Sequence, residues 1–172
     1  MTLQTATINH YPTIQNMARF YVYDRTKYLR WECPETGMFE CIYFKHYFEE
    51  PEQHAFLVKI DHELAGFVLL DKTKLIEKID WSMGEFFILA KFQSNGIGGQ
   101  AAREIFSRFL GKWSVAVMPE NLGAVKFWRK IINEVSKGEF TEVFKTEKKL
   151  TTLDNPDPYA MIIFSFNAIH SI

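Results

Sequence analysis

The sequence predicts a single α+β domain over residues 1–172, in which about seven strands form a mixed sheet and about four helices flank it. Its 172 residues are a usual length for one domain. A hydrophobic fraction of 47% and a charged fraction of 24% are typical of a globular protein. Strand-like and helix-like segments follow one another without an internal repeat or a low-complexity linker.

The first part of the chain is predicted to form a strand, two helices and a β-hairpin. A short strand over residues 3–8 precedes an amphipathic helix that begins near Thr13. The apolar residues of this helix recur at helical spacing: Ile14, Met17, Ala18, Tyr21 and Val22. A weaker helix is expected over 39–48. Two apolar runs, 55–60 and 64–70, are separated by three polar residues and predict the hairpin.

A strand–helix–strand unit is predicted in the middle of the chain. The first strand covers 85–89, and its continuous apolar character indicates a strand that is covered on both faces. The helix spans 96–110, carries its apolar residues on one face and ends before Gly111, which suits a helix C-terminus. The second strand covers 113–117. Strands joined through a helix in this way are expected to be parallel.

A further helix and two strands complete the predicted fold. Asn121 is a natural N-cap for the helix. Six apolar residues are expected on its buried side: Leu122, Val125, Phe127, Trp128, Ile131 and Ile132. The closing strands are predicted over 140–146 and 159–166, and a turn with two prolines at 155–158 separates them.

Charge and apolar patterning exclude several classes of partner. The chain has 20 basic and 21 acidic side chains, a formal net charge of −1 and a pI near 6.5, without a run of basic residues. Nucleic acid and anionic membrane surfaces are therefore not expected as partners. The N-terminus lacks the features of a secretory signal, and runs such as 159–164 fall short of the ~20 apolar residues that span a bilayer. We expect a cytoplasmic protein.

No metal site is predicted. The two cysteines, Cys33 and Cys41, lie eight positions apart and lack the spacing of a structural zinc site. The five histidines form no ligand pattern either: His10, His46, His54, His62 and His170. Reduced thiols and scattered surface histidines are the expected state of these residues.

Three of the nine glycines are concentrated at one strand–helix junction. Gly96, Gly98 and Gly99 follow the central predicted strand and open the next helix. The first amides of a helix have no partner within it, the helix dipole is positive there, and the missing side chains let an anion approach the backbone. A phosphate or pyrophosphate is the expected ligand, and a tight turn that binds nothing is the alternative.

One pattern in this segment suggests a dinucleotide. Residues 96–101 satisfy G-x-G-x-x-G/A, and Glu120, 22 positions after Gly98, lies where a ribose-binding acid is expected. Against this interpretation, residues 91–95 separate the glycines from their strand, and a single parallel unit is less parallel sheet than a dinucleotide site requires. A nucleotide-binding oxidoreductase domain is therefore a minor alternative.

A longer pattern fits the same segment better. The sequence Gln-Ser-Asn-Gly-Ile-Gly at 93–98 resembles the Q/R-x-x-G-x-G/A loop of the GNAT superfamily of acetyl-CoA-dependent N-acetyltransferases. The sequence Asn-Leu-Gly-Ala-Val-Lys-Phe-Trp at 121–128 resembles the family's N-x-x-A-x-x-F-Y segment. The order of the predicted elements is similar as well. The resemblance implies a single GNAT-like domain with acetyl-CoA as its cosubstrate.

The resemblance also implies which residues contact the cosubstrate. Amides of the loop would bind the coenzyme A pyrophosphate: Ser94, Asn95, Gly96, Ile97, Gly98 and Gly99. Gln93 would shape the entry of this loop, and Asn121 would contact the pantetheine arm. Backbone groups of the central strand would bind that arm and the acetyl carbonyl: Phe86, Phe87 and Ile88. In this family the two parallel strands, here 85–89 and 113–117, splay apart to admit the arm.

Two residues are candidates for the chemistry. An amine with a pKa of ~10.4 needs a base before it can attack a thioester, and the departing thiolate needs a proton. Glu85 is the carboxylate best placed to be the base, with a pKa raised by desolvation; the alternative is a solvated charge at the strand end. Trp128 lies where many relatives have a proton-donating Tyr, and a chemical role and a core role are both open. Ala116 lies where some relatives have a catalytic Glu.

The sequence therefore predicts an N-acetyltransferase that moves an acetyl group directly from acetyl-CoA to an amine. The alternative is a catalytically silent acyl-CoA-binding or sensor module on the same fold. By resemblance, segments near 30–52 and 147–159 would shape the acceptor site. The acceptor stays open among a small amine, an amino-sugar antibiotic, a peptide N-terminus and a protein lysine, and both a monomer and a homodimer are compatible with the sequence.

Overall fold

The computed structural model of the chain describes residues 1–39, 44–72, 79–147 and 159–169. Seven strands lie in this part: β1 (Thr2–Thr5), β2 (His54–Ile60), β3 (Glu63–Asp71), β4 (Trp81–Ile88), β5 (Gly111–Val117), β6 (Phe140–Glu147) and β7 (Tyr159–Ala168). The same part contains four α-helices: α1 (Tyr11–Leu29), α2 (His46–Glu49), α3 (Ile97–Arg108) and α4 (Leu122–Val135).

The strands form one mixed sheet in the order β1-β2-β3-β4-β5-β7-β6. β4 and β5 are parallel, and α3 connects them along the chain. The other neighbouring pairs are antiparallel. The predicted α+β class with a seven-stranded mixed sheet and four flanking helices is confirmed, including the parallel strand–helix–strand unit.

Each face of the sheet buries its own hydrophobic core. α3 and α4 cover one face, where Phe106, Trp113 and Ile132 are fully buried or nearly so. α1 and α2 cover the other face around Ile14 and Phe67, neither of which is exposed. Because full burial of one such side chain contributes about 1.5–3 kcal/mol, the two helix layers are held mainly by the apolar surface of the sheet.

β4 belongs to both cores, as its continuous apolar sequence predicts. Ile88 packs into the core under α3 and α4, and Phe87 packs into the core under α1 and α2. The strand begins at Trp81, four residues before the predicted start. Ser82 and Gly84 interrupt the apolar run in the sequence, which is why periodicity did not reveal this first half of the strand.

α1 agrees with the helical spacing of its apolar residues. Its buried side chains are those of Ile14, Met17, Ala18 and Val22. Pro12 lies in the first turn, where a missing N–H costs no hydrogen bond, and Arg30 ends the helix with a left-handed φ of 52°. α1 has 19 residues, yet neither it nor any other helix among the described residues is long and apolar enough to cross a membrane.

Two predicted details are wrong for local reasons. The first strand ends at Thr5 instead of residue 8, because the Thr7 amide donates to His10 Nδ1 at 3.0 Å and the chain turns into a 3₁₀ helix over Ile8–His10. Leu122 is 67% exposed although it was expected on the buried side of α4. It is the first residue of that helix and lies ahead of the turn that packs on the sheet.

Two further predictions fall partly or wholly outside the described residues. The weak helix expected over 39–48 is present only as His46–Glu49, and residues 40–43 lie outside the described part. The turn predicted at 155–158 lies outside it as well. The strands on either side of that turn are present as β6 and β7, and they pair in register from Phe140 and Phe166 to the end of β6.

Gly66 allows β3 and β4 to approach each other closely near the end of β4. A Cβ at this position would lie 2.0 Å from the carbonyl oxygen of Phe87. The neighbouring strand β2 carries a register shift between Val58 and Lys59, opposite the same point. Since the contacting atom belongs to the backbone of a paired strand, it cannot rotate away from a new methyl group. This position therefore requires glycine.

We expect Gly66→Ala to lower the free energy of unfolding by at least about 2 kcal/mol, which lies within the usual cost of overpacking. Gly123→Ala in α4 is the matched control, because its Cβ would meet only Asn121 Oδ1, at 3.7 Å. Alanine in a helix is favoured over glycine by up to ~1 kcal/mol, so the control should be neutral or more stable. Urea denaturation of both variants measures the difference, and equal stabilities would contradict the close approach of β3 and β4.

Candidate active site

Elements that are distant in the sequence line one cavity of about 630 Å³. Its walls come from α1, from the end of β4 and the loop that follows, from the end of β5, and from the start of α4. We call residues 93–99 the glycine loop. A cavity with a glycine-rich loop at one side and a helix wall at another can hold a ligand with chemically distinct ends.

The cavity exists because β4 and β5 pair over only part of their length. The paired positions are Trp81 with Trp113, Ser82 with Ser114, and Met83 with Val115. Beyond them, residues 84–88 of β4 and 116–117 of β5 have no partner in each other, and we call this opening the β4–β5 gap. The splayed pair of parallel strands that the resemblance implies is present in the structure.

Polar contacts hold the other end of the two strands closed. The hydroxyls of Ser82 and Ser114 lie 2.9 Å apart, and the two residues are only 4% and 5% exposed. The Asp80 carboxylate accepts a hydrogen bond from the Lys112 amide at 2.8 Å. Because each buried hydroxyl satisfies the other, the strands stay together at this end and separate only toward the glycine loop.

The backbone of the glycine loop turns the chain from β4 into α3. Ser94 and Gly96 have left-handed φ values of 62° and 80°. Gly96 is the N-cap of α3, and a Cβ there would meet nothing within 4 Å, so its backbone conformation, not space, requires glycine. No side chain of the described residues caps this 12-residue helix. Its first amides and the positive end of its dipole are therefore available to an anion.

Backbone groups of β4 face the gap at alternate positions. Gln93 joins the loop to the strand by donating from Nε2 to the Ile88 carbonyl at 2.7 Å. On the β3 side, the Leu89 amide donates to the Ala65 carbonyl at 2.8 Å. Since successive residues of a strand direct their N–H and C=O groups to opposite sides, Phe86 and Ile88 direct theirs toward β5. The carbonyl of Phe87 faces β3 instead.

The start of α4 forms the far wall of the gap. The Asn121 side chain accepts a hydrogen bond from the Ala124 amide at 3.1 Å, which confirms the predicted N-cap. Trp128, two turns further on, is only 6% exposed and packs edge-on against Phe86, with ring centroids 5.0 Å apart. The same residue also lines the cavity. Trp128 is thus a core residue that forms part of the cavity wall.

Most of the residues singled out from the sequence meet at this cavity. Ten of them line it: Phe86, Phe87, Ile88, Gln93, Ser94, Gly96, Gly98, Gly99, Asn121 and Trp128. Asn95 and Ile97 belong to the glycine loop but are not among the lining residues; Ile97 packs against the core under α3 and α4. Glu85 is also absent from the described lining.

Five residues of α1 form a wall that sequence reasoning did not assign to a site. They are Tyr21, Asp24, Arg25, Lys27 and Tyr28. Tyr21 was counted in the apolar stripe of this helix, because its spacing matches that of its buried neighbours. The one sequence feature that could have indicated this wall is the pair of charges, Asp24 and Arg25, that directly follows the apolar stripe. Charges on one side of a helix usually mark a solvated face, so the pair did not point to a site.

Glu85 lies in the middle of β4 and is mostly buried, with Arg25 of α1 beside it. Its side chain is 14% exposed, and Oε2 lies 4.0 Å from Arg25 Nη1. Burial raises the pKa of Glu85, the charge of Arg25 and a hydrogen bond with Tyr21 oppose that rise, and the charge of Asp71 adds to it. Of the two alternatives considered for Glu85, the desolvated carboxylate is the one found, and the solvated strand end is wrong.

Asp71 and Tyr47 complete the polar cluster around Glu85. Tyr47, from α2, donates its hydroxyl to Asp71 Oδ2 at 3.0 Å. A Cβ on Gly84 would lie 2.3 Å from the Tyr47 hydroxyl oxygen, so glycine at this position of β4 admits the tyrosine. Both carboxylates of the cluster therefore lie under the helix layer formed by α1 and α2.

The described residues contain no group of three or more His, Cys, Asp or Glu side chains arranged to hold a metal ion. Cys33 is exposed and has a free thiol. Cys41 and His170 lie outside the described residues. The same holds for parts of the two segments expected to shape the acceptor site, namely 40–43 and 148–158.

Comparison with known proteins identifies the family. The model of the acetyltransferase (GNAT) family matches residues 18–132, which is 115 of the 172 residues. No curated protein sequence matches the chain.

Solved structures share the fold at low sequence identity. The chain is similar to the ribosomal-protein-S18-alanine N-acetyltransferase from Escherichia coli, with 12% identity, a TM-score of 0.60 and coverage of 99% of this chain and 96% of that one. It is also similar to a GNAT family acetyltransferase from Elizabethkingia anophelis with acetyl-CoA bound, with 15% identity, a TM-score of 0.58 and coverage of 96% and 97%.

A third similar structure is a point mutant of the spermidine N-acetyltransferase from Vibrio cholerae, with 16% identity, a TM-score of 0.60 and coverage of 98% of this chain and 95% of that one. At such identities these structures support the fold, while the family model supports membership. Because that model spans two thirds of the sequence and the glycine loop lies within it, the chain belongs to the GNAT family of acetyl-CoA-dependent N-acetyltransferases.

Proposed function

We propose that this protein transfers the acetyl group of acetyl-CoA to an amine by direct attack of that amine on the thioester. The observation that carries the proposal is the continuity of the cavity, which joins the glycine loop, the β4–β5 gap and the wall of α1. One ligand can therefore place a pyrophosphate on the loop while its acyl end reaches the gap. An acceptor amine would approach from the side of α1.

The residues present suit acetyl-CoA. The uncapped N-terminus of α3 offers amides and a positive dipole to the pyrophosphate, with Ser94, Gly96 and Gly98 beside it. The loop contains no acidic side chain that would repel this anion. Asn121 and Phe127 from α4 line the gap, where a pantetheine arm would lie. Asn95 and Ile97 would contribute backbone amides only, since they do not line the cavity.

The gap offers hydrogen-bonding groups that suit an amide-bearing arm. A pantetheine arm carries two amide groups, and a splayed strand presents N–H and C=O groups that have lost their neighbouring strand. Phe86 and Ile88 present such groups toward β5, as the alternation along β4 requires. We assign the arm and the thioester carbonyl to these two residues, with the Ile88 amide placed to stabilise the oxyanion. Phe87 contributes its ring to the cavity wall.

The reaction then follows in balanced steps. The amine nitrogen bonds to the thioester carbon as its proton passes to a base, for which we propose Glu85. The C–S bond breaks with its electron pair going to sulfur, and the thiolate takes a proton from solvent. The Arg25 guanidinium beside Glu85 favours the ionised carboxylate that a base requires. General-base assistance of this kind contributes ~10²–10⁴ in rate.

A panel of amines tests the proposed activity. Release of free thiol from acetyl-CoA should be measured with spermidine, with a peptide bearing an N-terminal alanine, with a lysine peptide and with an amino sugar. The first two are chosen because the similar structures are named for alanine and spermidine N-acetyltransferases. Turnover with gain of an acetyl group on one amine supports the proposal. Binding of acetyl-CoA without turnover on any of them would instead establish the silent acyl-CoA-binding module.

Gly98→Asp should weaken acetyl-CoA binding at least ~100-fold. Like charges about 5 Å apart repel by about 3 kcal/mol at an effective dielectric constant near 20, and 1.4 kcal/mol is a factor of ten. A Cβ at Gly98 would meet Ile88 Cγ1 and the Phe127 ring at 3.5 Å, an ordinary contact, so the variant should fold. Isothermal titration of this variant and of Gly98→Asn, a control of equal size without charge, measures both effects. Unchanged affinity in Gly98→Asp would place the pyrophosphate elsewhere.

Glu85→Gln should lower kcat/KM by ~10² or more at neutral pH, because the amide keeps the shape but accepts no proton. In the wild type, burial raises the pKa of Glu85. Activity should therefore increase with pH over a range that lies above the ordinary pKa of a carboxyl group. The variant should lack this increase and keep its KM for acetyl-CoA. A pH–rate profile that is unchanged by the substitution would remove Glu85 from the mechanism.

Trp128→Phe should keep most of the activity while lowering stability by about 1–3 kcal/mol, because a smaller ring remains in the same core site. Trp128→Tyr should preserve or raise kcat and add a high-pH limb near a phenol pKa of ~10. Both outcomes are expected if the departing thiolate needs no proton donor at position 128. A loss above ~10²-fold in Trp128→Phe, with folding and acetyl-CoA affinity intact, would assign the indole N–H a chemical role.

A further inference from the structure

We propose that the Tyr21 hydroxyl relays the proton of the attacking amine from the cavity to the Glu85 carboxylate. The inference rests on the proposed function and adds a catalytic residue to it. Placement supports it, because Glu85 is absent from the described lining of the cavity, whereas Tyr21 and Arg25 are part of that lining. A base beneath the wall needs a group in the wall that can carry the proton.

Packing fixes the ring of Tyr21 in one orientation. It lies edge-on to Phe67, with centroids 6.2 Å apart, and tilted against Phe87 at 5.8 Å. Both partners belong to neighbouring strands of the sheet, so the ring is held between α1 and the sheet surface. Its hydroxyl and the Glu85 carboxylate both contact one atom, Arg25 Nη1, and Tyr21 lines the cavity whereas Glu85 does not. The phenol therefore lies on the cavity side of the carboxylate.

Arg25 supports this arrangement from the next turn of the same helix. Its Nη1 donates to the Tyr21 hydroxyl at 3.4 Å and lies 4.0 Å from Glu85 Oε2. Its guanidinium carbon is 5.3 Å from the centroid of the Tyr21 ring. A cation that touches both groups favours an ionised Glu85 and orients the phenol oxygen. Arg25 is therefore a positioning residue for the relay.

Among the described residues, the titratable and charged groups that act on Glu85 are Tyr21 and Arg25 from α1, Tyr47 from α2, and Asp71 from β3. Burial and the charge of Glu85 raise the pKa of Tyr21 far above its ordinary value, so the phenol stays neutral. A neutral phenol has a proton to give to Glu85 and a lone pair to receive one. These are the two properties that a relay needs.

The relay leaves the overall reaction balanced. As the C–N bond forms, the amine proton moves to the Tyr21 oxygen while the phenolic proton moves to a Glu85 oxygen. The C–S bond breaks, and the thiolate takes a proton from solvent. Glu85 then returns a proton to solvent by the reverse route. Tyr21 begins and ends each cycle as a phenol, and no oxidant or reductant is required.

A double-mutant cycle tests the relay. We expect Tyr21→Phe and Glu85→Gln each to lower kcat at the pH optimum by ~10² and the double variant to lose no more than about threefold beyond either, because both act on one proton path. The phenylalanine keeps the ring contacts, so the KM for acetyl-CoA should stay within about twofold. Tyr23→Phe is the matched control: this tyrosine of α1 is 61% exposed, and kcat should not change.

The pH profile separates a relay from a hydrogen bond that only tunes Glu85. Because the Tyr21 hydrogen bond lowers the pKa of Glu85, its removal should move the acidic limb of kcat/KM to higher pH. If Tyr21→Phe shifts this limb but keeps its plateau kcat within about threefold, water carries the proton and the relay is wrong. The relay would also be wrong if the loss of kcat in the double variant equalled the product of the losses in the two single variants.

The rate is measured with the best amine of the panel or, if none reacts, as hydrolysis of acetyl-CoA, in which water is the nucleophile and needs the same base. Failure of every amine therefore contradicts the proposed acetyl transfer to amines. Retained activity in Tyr21→Phe contradicts only the relay.

Discussion

The partial pairing of β4 with β5 is the constraint on which the site depends. Ser82 and Ser114 hold the strands together at one end, and the ladder stops at Met83 and Val115. From that point each strand presents backbone N–H and C=O groups that a sheet would normally satisfy. The Gln93 side chain donates to one of them, the Ile88 carbonyl, and a ligand in the gap can supply hydrogen-bond partners to the groups that β5 does not reach. This bonding capacity is what suits the gap to the proposed binding of the cosubstrate.

The two sides of the gap carry groups of different chemistry. The glycine loop provides a positive helix end and small residues, and these suit an anion. The wall of α1 provides a phenol and a guanidinium above a buried carboxylate, an arrangement that can accept a proton. The proposed anion binding and the proposed proton transfer therefore involve separate elements that line one cavity. Gly84 supports the second of these, because its missing side chain leaves room for Tyr47 in the cluster around Glu85.

Features encoded by a few adjacent residues were predictable from the sequence, whereas several side-chain contacts between distant segments were not. The N-cap of α4 at Asn121 and the loop around Gly96 depend on local backbone chemistry, which sequence patterns report directly. Tyr21 fits the apolar stripe of α1 equally well as a core residue, and only the tertiary approach of Glu85 to Arg25, which also contacts the Tyr21 hydroxyl, reveals its polar surroundings. The requirement for glycine at position 66 likewise follows from strand register, which single-sequence periodicity does not encode.

Amide hydrogen exchange of the free protein and of its complex with coenzyme A tests most directly the claim that the cosubstrate occupies the β4–β5 gap. The account predicts that binding slows exchange at the amides of Phe86 and Ile88 and at those of residues 96–99. The Phe87 amide, which faces β3, should already exchange slowly and change little. Protection confined to other elements, with the Phe86 and Ile88 amides unchanged in a saturated complex, would contradict the account.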